Sequence, residues 1–328
     1  MNEAMLRAVR WMVAAAAMLA LAGCAMQPPS PLVFSFAVLG DTPYGDAQEA
    51  PYREMMRVID RAPVAFTIHV GDFKSGSSGA CSDELYRLRR SEFDASAHPF
   101  IYTPGDNEWT DCHRAALGAM DPIERLARLR QIFFSDRWSL GRTRIETSAQ
   151  DQCIDPGPRG CRCPAHPENR FWSRAGVRFV TLNIPGSDNN IGRNAANDAE
   201  AHCRDEANAL WLEQAVRASE RSQTRALVIA FQADPWDSHK PAVYAPFLRQ
   251  VQEAAKRLKK PVLLIHGDSH IQRIDTPFAD SMGNTVLNIT RLETFGSPFV
   301  GWMKVNVDPD HPEVFSFEAK LHAVAPAQ

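Results

Sequence analysis

Short apolar runs of strand length recur along the chain, and four of them stop at the same pair of residues. Leu32 to Leu39 runs into Gly40-Asp41, Val64 to Val70 into Gly71-Asp72, Pro99 to Thr103 into Pro104-Gly105-Asp106, and Pro261 to Ile265 feeds Gly267-Asp268. Between the first three runs, Ala47 to Asp60 and Ser82 to Ser96 carry helical periodicity. Strand, helix, strand, helix, strand at this spacing predicts parallel β units with crossover helices. Further on, Met120 to Phe134 predicts a helix, and Arg170 to Pro185 a hairpin turning at Ala175-Gly176. Glu200 to Ser219 reads as a helix with Leu210, Trp211, Leu212 and Val216 on its apolar side. Ala226 to Phe231 and Pro261 to Ile265 are buried strands; Val286 to Ile289, Gly301 to Val307 and Val314 to Leu321 are terminal strands, with a turn at Asp308-Pro309-Asp310. No repeat or linker interrupts the chain after residue 31, so one domain over residues 32–322 is expected.

Composition changes this picture little. A chain of 328 residues with 45% hydrophobic content buries a large core. Its formal charge of -3 offers no basic surplus, so no binding to a nucleic-acid polymer is expected. The N-terminus adds more. Arg7 and Arg10 precede an uncharged Ala, Met and Leu-rich stretch from Trp11 to Leu21, too short to span a bilayer but suited to a signal peptide. It ends in Leu21-Ala22-Gly23-Cys24, which resembles a bacterial lipobox; residues 1–23 are then the leader and Cys24 the lipidated first residue. Residues 24–31, rich in proline, read as a tether. The expectation is an exported protein, anchored to the cell envelope by lipid alone. Ala25 after the Cys leans towards the outer membrane, facing the periplasm.

Six cysteines remain, Cys81, Cys112, Cys153, Cys161, Cys163 and Cys203, and an even number in an exported chain favours disulfides. Cys81 with Cys112 is expected, and Cys203 with one of Cys153, Cys161 or Cys163. Residues 152–169, dense in Cys, Pro and Gly, predict a disulfide-pinned surface insertion.

In open α/β sheets, ligands sit beyond the carboxyl ends of the strands. Four carboxylates gathered there repel one another unless cations neutralise them. Asp41, Asp72, Asp106 and Asp268 are therefore candidate metal ligands.

The order of these motifs resembles that of the calcineurin-like metallophosphoesterases, over about residues 33 to 320. The family's Asp-x-His, Gly-Asp, Gly-Asn-His-Asp/Glu, lone His and Gly-His-x-His read here as Gly40-Asp41-Thr42-Pro43, Gly71-Asp72-Phe73, Gly105-Asp106-Asn107-Glu108, Phe231-Gln232-Ala233 and Gly267-Asp268-Ser269-His270. The resemblance implies an α/β fold, a two-layer β-sandwich flanked by helices, around two divalent cations. One would see Asp41, Asp72 and His270; the other Asp72, Asp106, Gln232 and Asp268. Pro43 stands where a histidine ligand is expected, and Asp106, Gln232 and Asp268 replace nitrogen or amide ligands. This oxygen-rich set suits Mn²⁺, Mg²⁺ or Ca²⁺ better than zinc or iron.

The implied reaction is attack of a metal-bound hydroxide on a phosphomonoester, phosphodiester or nucleotide. Asn107 occupies the place of the family's histidine; it can donate a hydrogen bond but cannot act as a general acid. Among His69, His113, His239 and His266, the loop residue His239 is the preferred substitute. Lys74, Asn107 and Trp109 are candidate substrate contacts, with Arg273 and Arg291 behind them. The partner expected is a small phosphorylated substrate, met by a monomer. The alternative is a non-catalytic lipoprotein that binds a cation or phosphate ligand on the same fold. A serine or cysteine hydrolase is disfavoured, since no Gly-x-Ser-x-Gly elbow is present.

Overall fold

Alternation along the strands sorts the core into three layers. In β1 (Phe34–Leu39), Phe36 and Val38 face one apolar cluster while Ala37 and Leu39 face another. The same division holds in β9 (Ala226–Ala230) and β10 (Val262–His266): Val228, Leu263 and Ile265 point one way, Leu227, Ile229, Val262 and Leu264 the other. Strands apolar on both faces must be covered on both. The chain meets that demand by stacking two sheets and covering each outer face with helices.

The computed structural model describes residues 32–157, 160–221 and 223–325. The expected leader, Cys24 and tether, residues 1–31, lie outside the described residues. One sheet has the order β14-β13-β1-β2-β3, from β2 (Thr67–His69), β3 (Phe100–Tyr102), β13 (Phe299–Val307) and β14 (Phe315–Val324). The other has the order β11-β12-β10-β9-β8-β7-β4. Its remaining members are β4 (Ser148–Gln150), β7 (His166–Arg174), β8 (Val177–Thr181), β11 (Arg273–Asp275) and β12 (Ile289–Glu293). Phe36, Phe66 and Phe179 interlock between the sheets, with Phe36 stacked on Phe66 and edge-on to Phe179. Helices α1 (Asp46–Arg61), α2 (Asp83–Asp94) and α3 (Pro122–Phe133) cover the first sheet; α4 (Ala195–Ser219) and α5 (Ala245–Leu258) cover the second. Among the described residues no helix is long and apolar enough to cross a membrane.

Most elements lie where the sequence predicts them. Two differ. The strand expected at Val286 to Ile289 is instead Ile289–Glu293, in parallel register with β10 from Val262↔Ile289 to His266↔Glu293. Its buried Arg291 and Glu293 interrupt the apolar pattern that marks a strand. Helix α5 stands outside the elements expected, although its buried Val251, Ala254, Ala255 and Leu258 carry a helical period. The insertion is a hairpin of β5 (Ile154–Gly157) and β6 (Gly160–Cys163). Cys153 pairs with Cys161 and Cys163 with Cys203, tying the hairpin to α4, while Cys81 pairs with Cys112 as expected.

Candidate metal centre

Parallel pairing decides where the Gly-Asp turns go. β1, β2 and β3 run parallel, as do β8, β9, β10 and β12, so their carboxyl ends deliver Asp41, Asp72, Asp106, Gln232 and Asp268 to one place. The turns are sharp. Asp41, Asp72, Asp268 and His270 have φ of 52, 58, 80 and 63°, a left-handed conformation costing roughly 1–2 kcal/mol per non-glycine residue. Strain of this kind gathers at functional sites when the surrounding structure enforces it. The neighbouring glycines are needed for space: a Cβ on Gly105 would strike the Asp72 carboxylate, and one on Gly267 that of Asp41.

Asp72 is the hub. Its Oδ1 accepts from the Asn107 backbone N at 3.0 Å. Its Oδ2 accepts from Asn107 Nδ2 and Gln232 Nε2, both at 3.0 Å, and from the Tyr44 hydroxyl at 3.2 Å. Asp72, Asp106 and Asp268 each offer an oxygen within 4.8 Å of the others. Asp41 Oδ1 accepts from the Asp268 N at 3.0 Å and stands 3.7 Å from His270 Nε2. The first grouping holds three of the four residues expected for one cation, and Asp41 with His270 are two of the three expected for the other. Glu108 serves the frame: it accepts from the Asp72 and Gly105 backbone N–H groups and from Tyr102, locking two motif turns together.

Electrostatically the centre is unbalanced. Burial, then the Asp268 carboxylate, holds Asp41 well above the usual carboxylate range; burial and Asp106 do the same to Asp72 and push Asp268 up to about 8. Among the described residues, no lysine or arginine pairs with Asp41, Asp72, Asp106 or Asp268 within 4 Å. Asp41 Oδ2 and Asp106 Oδ1 are buried with no hydrogen-bond partner. Carboxylate oxygens left without a partner fit divalent cations of oxygen preference.

A second buried cluster, Asp234, His266 and Glu293, sits at the ends of β9, β10 and β12. It differs in being neutralised from within: Arg273 Nε lies 2.7 Å from Glu293, its Nη2 lies 3.6 Å from Asp234, and Arg291 lies 3.9 Å from Asp234. Arg273 and Arg291 therefore serve this cluster. Burial pushes the His266 imidazole down to about 4, and it stacks on Phe231.

Several expected contacts fall elsewhere. Lys74 is buried, with Nζ donating to the Ser75 and Asn107 carbonyls, and burial pushes it down to about 8. Trp109 is fully buried under the Arg204 guanidinium, a core residue and not a pocket wall. Gln232 turns Nε2 to Asp72 and Asp268 while its Oε1 accepts from Gly186 at 2.6 Å, so as placed it is a donor and not a metal ligand. His69 is buried in the core against Phe93. Two open clefts of about 460 and 450 Å³ border the carboxylates. Tyr44, Ser75 and Ser77 line the first; Ser187, Arg193 and His239 line the second; Arg114 is common to both. A larger cleft of about 560 Å³ beside Trp172 contains none of the motif residues.

The sequence reading passed over Tyr44, Asp111 and Ser187. Ser187 Oγ lies 2.7 Å from both Asp106 Oδ2 and Asp111 Oδ1, with one proton to share between them, in a left-handed turn spanning residues 187–190. Arg204, buried, holds that turn through the Asn189 carbonyl and side chain. The signal for Tyr44 was its place two residues beyond Gly40-Asp41-Thr42; Ser187 carried none.

Two stacked sheets whose parallel strands end on one carboxylate centre define an α/β sandwich built for cations. The metallophosphoesterase-like fold expected from the motif order is the fold the chain has. A dimetal phosphatase from Danio rerio shares it with a TM-score of 0.55 at 14% identity, over 90% of this chain and 98% of that one. GAP50, the anchor in the inner membrane complex of Plasmodium, aligns at 9% identity and TM-score 0.49, over 90% of each chain. A 5'-nucleotidase from Candida albicans aligns at 14% identity and TM-score 0.49, over 89% of this chain and 52% of that one. No protein-family model and no curated protein matches the sequence.

Proposed function

We propose that the protein is a metal-dependent phosphoesterase acting on small phosphomonoesters, phosphodiesters or nucleotides. One observation carries this reading: the buried Asp41, Asp72 and Asp106 and the partly buried Asp268 gather at the strand ends without a basic partner among the described residues, and Asp41 and Asp106 each keep an orphaned oxygen. Asp41, Asp72 and His270 would hold one divalent cation, and Asp72, Asp106 and Asp268 the other, most favourably Mn²⁺, Mg²⁺ or Ca²⁺. Such ions supply acidification of water and neutralisation of charge on phosphate oxygens. The chain's own part is orientation. Asn107 fixes both oxygens of Asp72, Ser187 fixes Asp106, and Arg114 stands where a phosphate in either cleft would meet it. Asn107 supplies no proton, so esters with good leaving groups should turn over fastest.

The test is hydrolysis of p-nitrophenyl phosphate and its bis ester with each metal added. Activity in the wild type, and a loss of about 10³-fold in Asp72→Asn at equal stability, is expected from losing several kcal/mol of cation stabilisation. The donor orientation of Gln232 favours the second reading, a non-catalytic cation or phosphate binder; tight metal binding without turnover of any ester would select it. The Arg7 to Cys24 pattern supports export and lipid anchoring in the envelope. Cys24→Ser should then move the protein from the membrane to the soluble fraction, and unchanged membrane recovery would rule the anchor out.

A further inference from the structure

One wall of the second cleft is basic. Arg114 and Arg193 both line it, and both lean on Asp111, a buried carboxylate. Arg114 Nη1 lies 2.9 Å from Asp111 Oδ2, and Arg193 Nη2 lies 3.6 Å from Asp111 Oδ1. Each guanidinium is held a second time. Arg114 Nη1 donates to the Gly76 carbonyl at 2.7 Å, a close approach that leaves no room for a side chain: a Cβ on Gly76 would strike Asn107 and crowd Arg114. Arg193 Nη1 donates to Asn190 Oδ1 at 2.6 Å. Asn190 is fully buried and its amide is oriented from both ends. Asn197 Nδ2 donates to its oxygen at 2.9 Å, and its own Nδ2 donates to Glu200 Oε2 at 2.9 Å.

Charge and donors give this wall a role. One carboxylate is shared by two guanidinium groups, so the pair carries a surplus positive charge. Among the described residues, Asp111 is the carboxylate that either group meets within 4 Å. Other acids of the cleft are matched elsewhere: Asp188 by Lys240 at 2.8 Å, and Asp234 by Arg273 and Arg291. A guanidinium also carries more N–H donors than these contacts use, in a planar fork that takes phosphate oxygens in pairs. Its place matters as much. Ser187 Oγ, against both Asp106 and Asp111, is all that separates the wall from the carboxylate centre. An anion held at the wall is therefore the neighbour of a phosphate held at the centre. We propose that Arg114 and Arg193 seat a second phosphate next to the reacting one, so that diphosphate esters are preferred over simple phosphomonoesters. This proposal rests on the phosphoesterase reading. Arg193 sets specificity by holding the second phosphate, and no covalent bond changes there.

The experiment titrates the full chain, at a fixed free Mg²⁺ concentration, with methylphosphonate and with methylenediphosphonate, whose P–C bonds resist hydrolysis; calorimetry gives both affinities. The wild type should bind the diphosphonate more tightly. Arg193→Gln should weaken diphosphonate binding about 10- to 100-fold, the effect of losing charge-assisted hydrogen bonds, and leave methylphosphonate affinity unchanged. A wild type without the preference would overturn the proposal. So would a loss falling equally on both ligands, which would make Arg193 part of the frame and not of a second seat. Should Arg193→Gln fail to fold, Arg193→Lys keeps the charge without the fork. Its preference should fall about three- to tenfold, and an undiminished preference opposes the role. Failure of the phosphoesterase reading looks different: the wild type then binds neither phosphonate and cleaves no ester. A wild type that binds methylphosphonate and cleaves p-nitrophenyl phosphate, yet does not favour the diphosphonate, loses only the second seat.

Discussion

Two acid clusters lie side by side, one at the carboxyl ends of the second sheet and one where the carboxyl ends of both sheets meet, and they solve the same electrostatic problem differently. Asp234 and Glu293 receive Arg273 and Arg291 from neighbouring strands, so their charge is matched by guanidinium groups built into the chain. Arg291 is itself held by Asp275 and stacks over Trp236 at 4.5 Å. Asp41, Asp72, Asp106 and Asp268 receive only neutral donors, from Gln232, Asn107, Ser187, Tyr44 and backbone N–H groups. Buried carboxylates without cations hold protons or acquire ions. The first cluster is thus a brace whose charge is balanced by guanidinium groups, although Asp234 Oδ2, His266 Nε2 and Glu293 Oε2 lack hydrogen-bond partners, and the second has no such counter-charge and is a receptor for something from outside. The backbone N of Asp234, donating to Asp268 Oδ2 at 2.9 Å, joins the two, so the brace also steadies the receptor.

The largest effect that could break this contrast is at the brace. Arg273→Gln should cost about 3 kcal/mol, because two buried carboxylates lose a partner, while the number of cations bound per chain stays the same. Denaturant unfolding with and without chelator measures the first, emission spectroscopy the second. No loss of stability, or a third cation per chain, would mean that the brace and the receptor are not different in kind.

Smaller effects sharpen the contrast from the receptor side. Chelation should lower stability by about 3 to 4 kcal/mol if the ions bind the folded state alone at 100 to 1,000 times their Kd. The metal-free protein should then show an unusual pH profile. Asp41, Asp72 and Asp268 keep protons when folded that they release when unfolded, with Asp268 titrating at about 8. At these three groups the folded state binds more protons than the unfolded one, so their contribution to stability is full below about pH 4 and is lost as pH rises through about 8. Thermal melts at pH 6 and pH 8 should therefore show the metal-free form weaker at pH 8, and the Mn²⁺-loaded form without that loss. A metal-free protein equally stable at both values would sink the assignment of raised carboxylates.

Much of the fold was legible because its strands are buried on both faces and read as plain apolar runs. Where burial is achieved by ion pairing the signal fails, and β12 was misplaced because Arg291 and Glu293 look like surface residues in one dimension. The motif carboxylates were legible for a different reason: Gly-Asp after a strand is a local turn signal, left-handed at Asp41, Asp72 and Asp268, and four such pairs stand out together. Partners arriving from other elements left little trace. Lys74 and Trp109 lie beside the motifs in sequence yet face the interior, while Ser187, remote in sequence, touches Asp106.

By itself the sequence determined the parallel α/β framework, the convergence of four aspartates at strand ends and the absence of a histidine at positions 43 and 107. Periodicity and turn chemistry are local, and local rules suffice for those. Only the tertiary structure decided which acids are neutralised. Arg273 reaches Glu293 through antiparallel pairing of β11 with β12, and among the described residues no comparable strand brings a guanidinium to Asp72. It also decided that the turn lacking an imidazole carries a phenol, because the path after Pro43 brings Tyr44 against Asp72, Asn107 and His270. Charge balance depends on distances of a few ångströms between elements far apart in sequence, and only packing sets those distances.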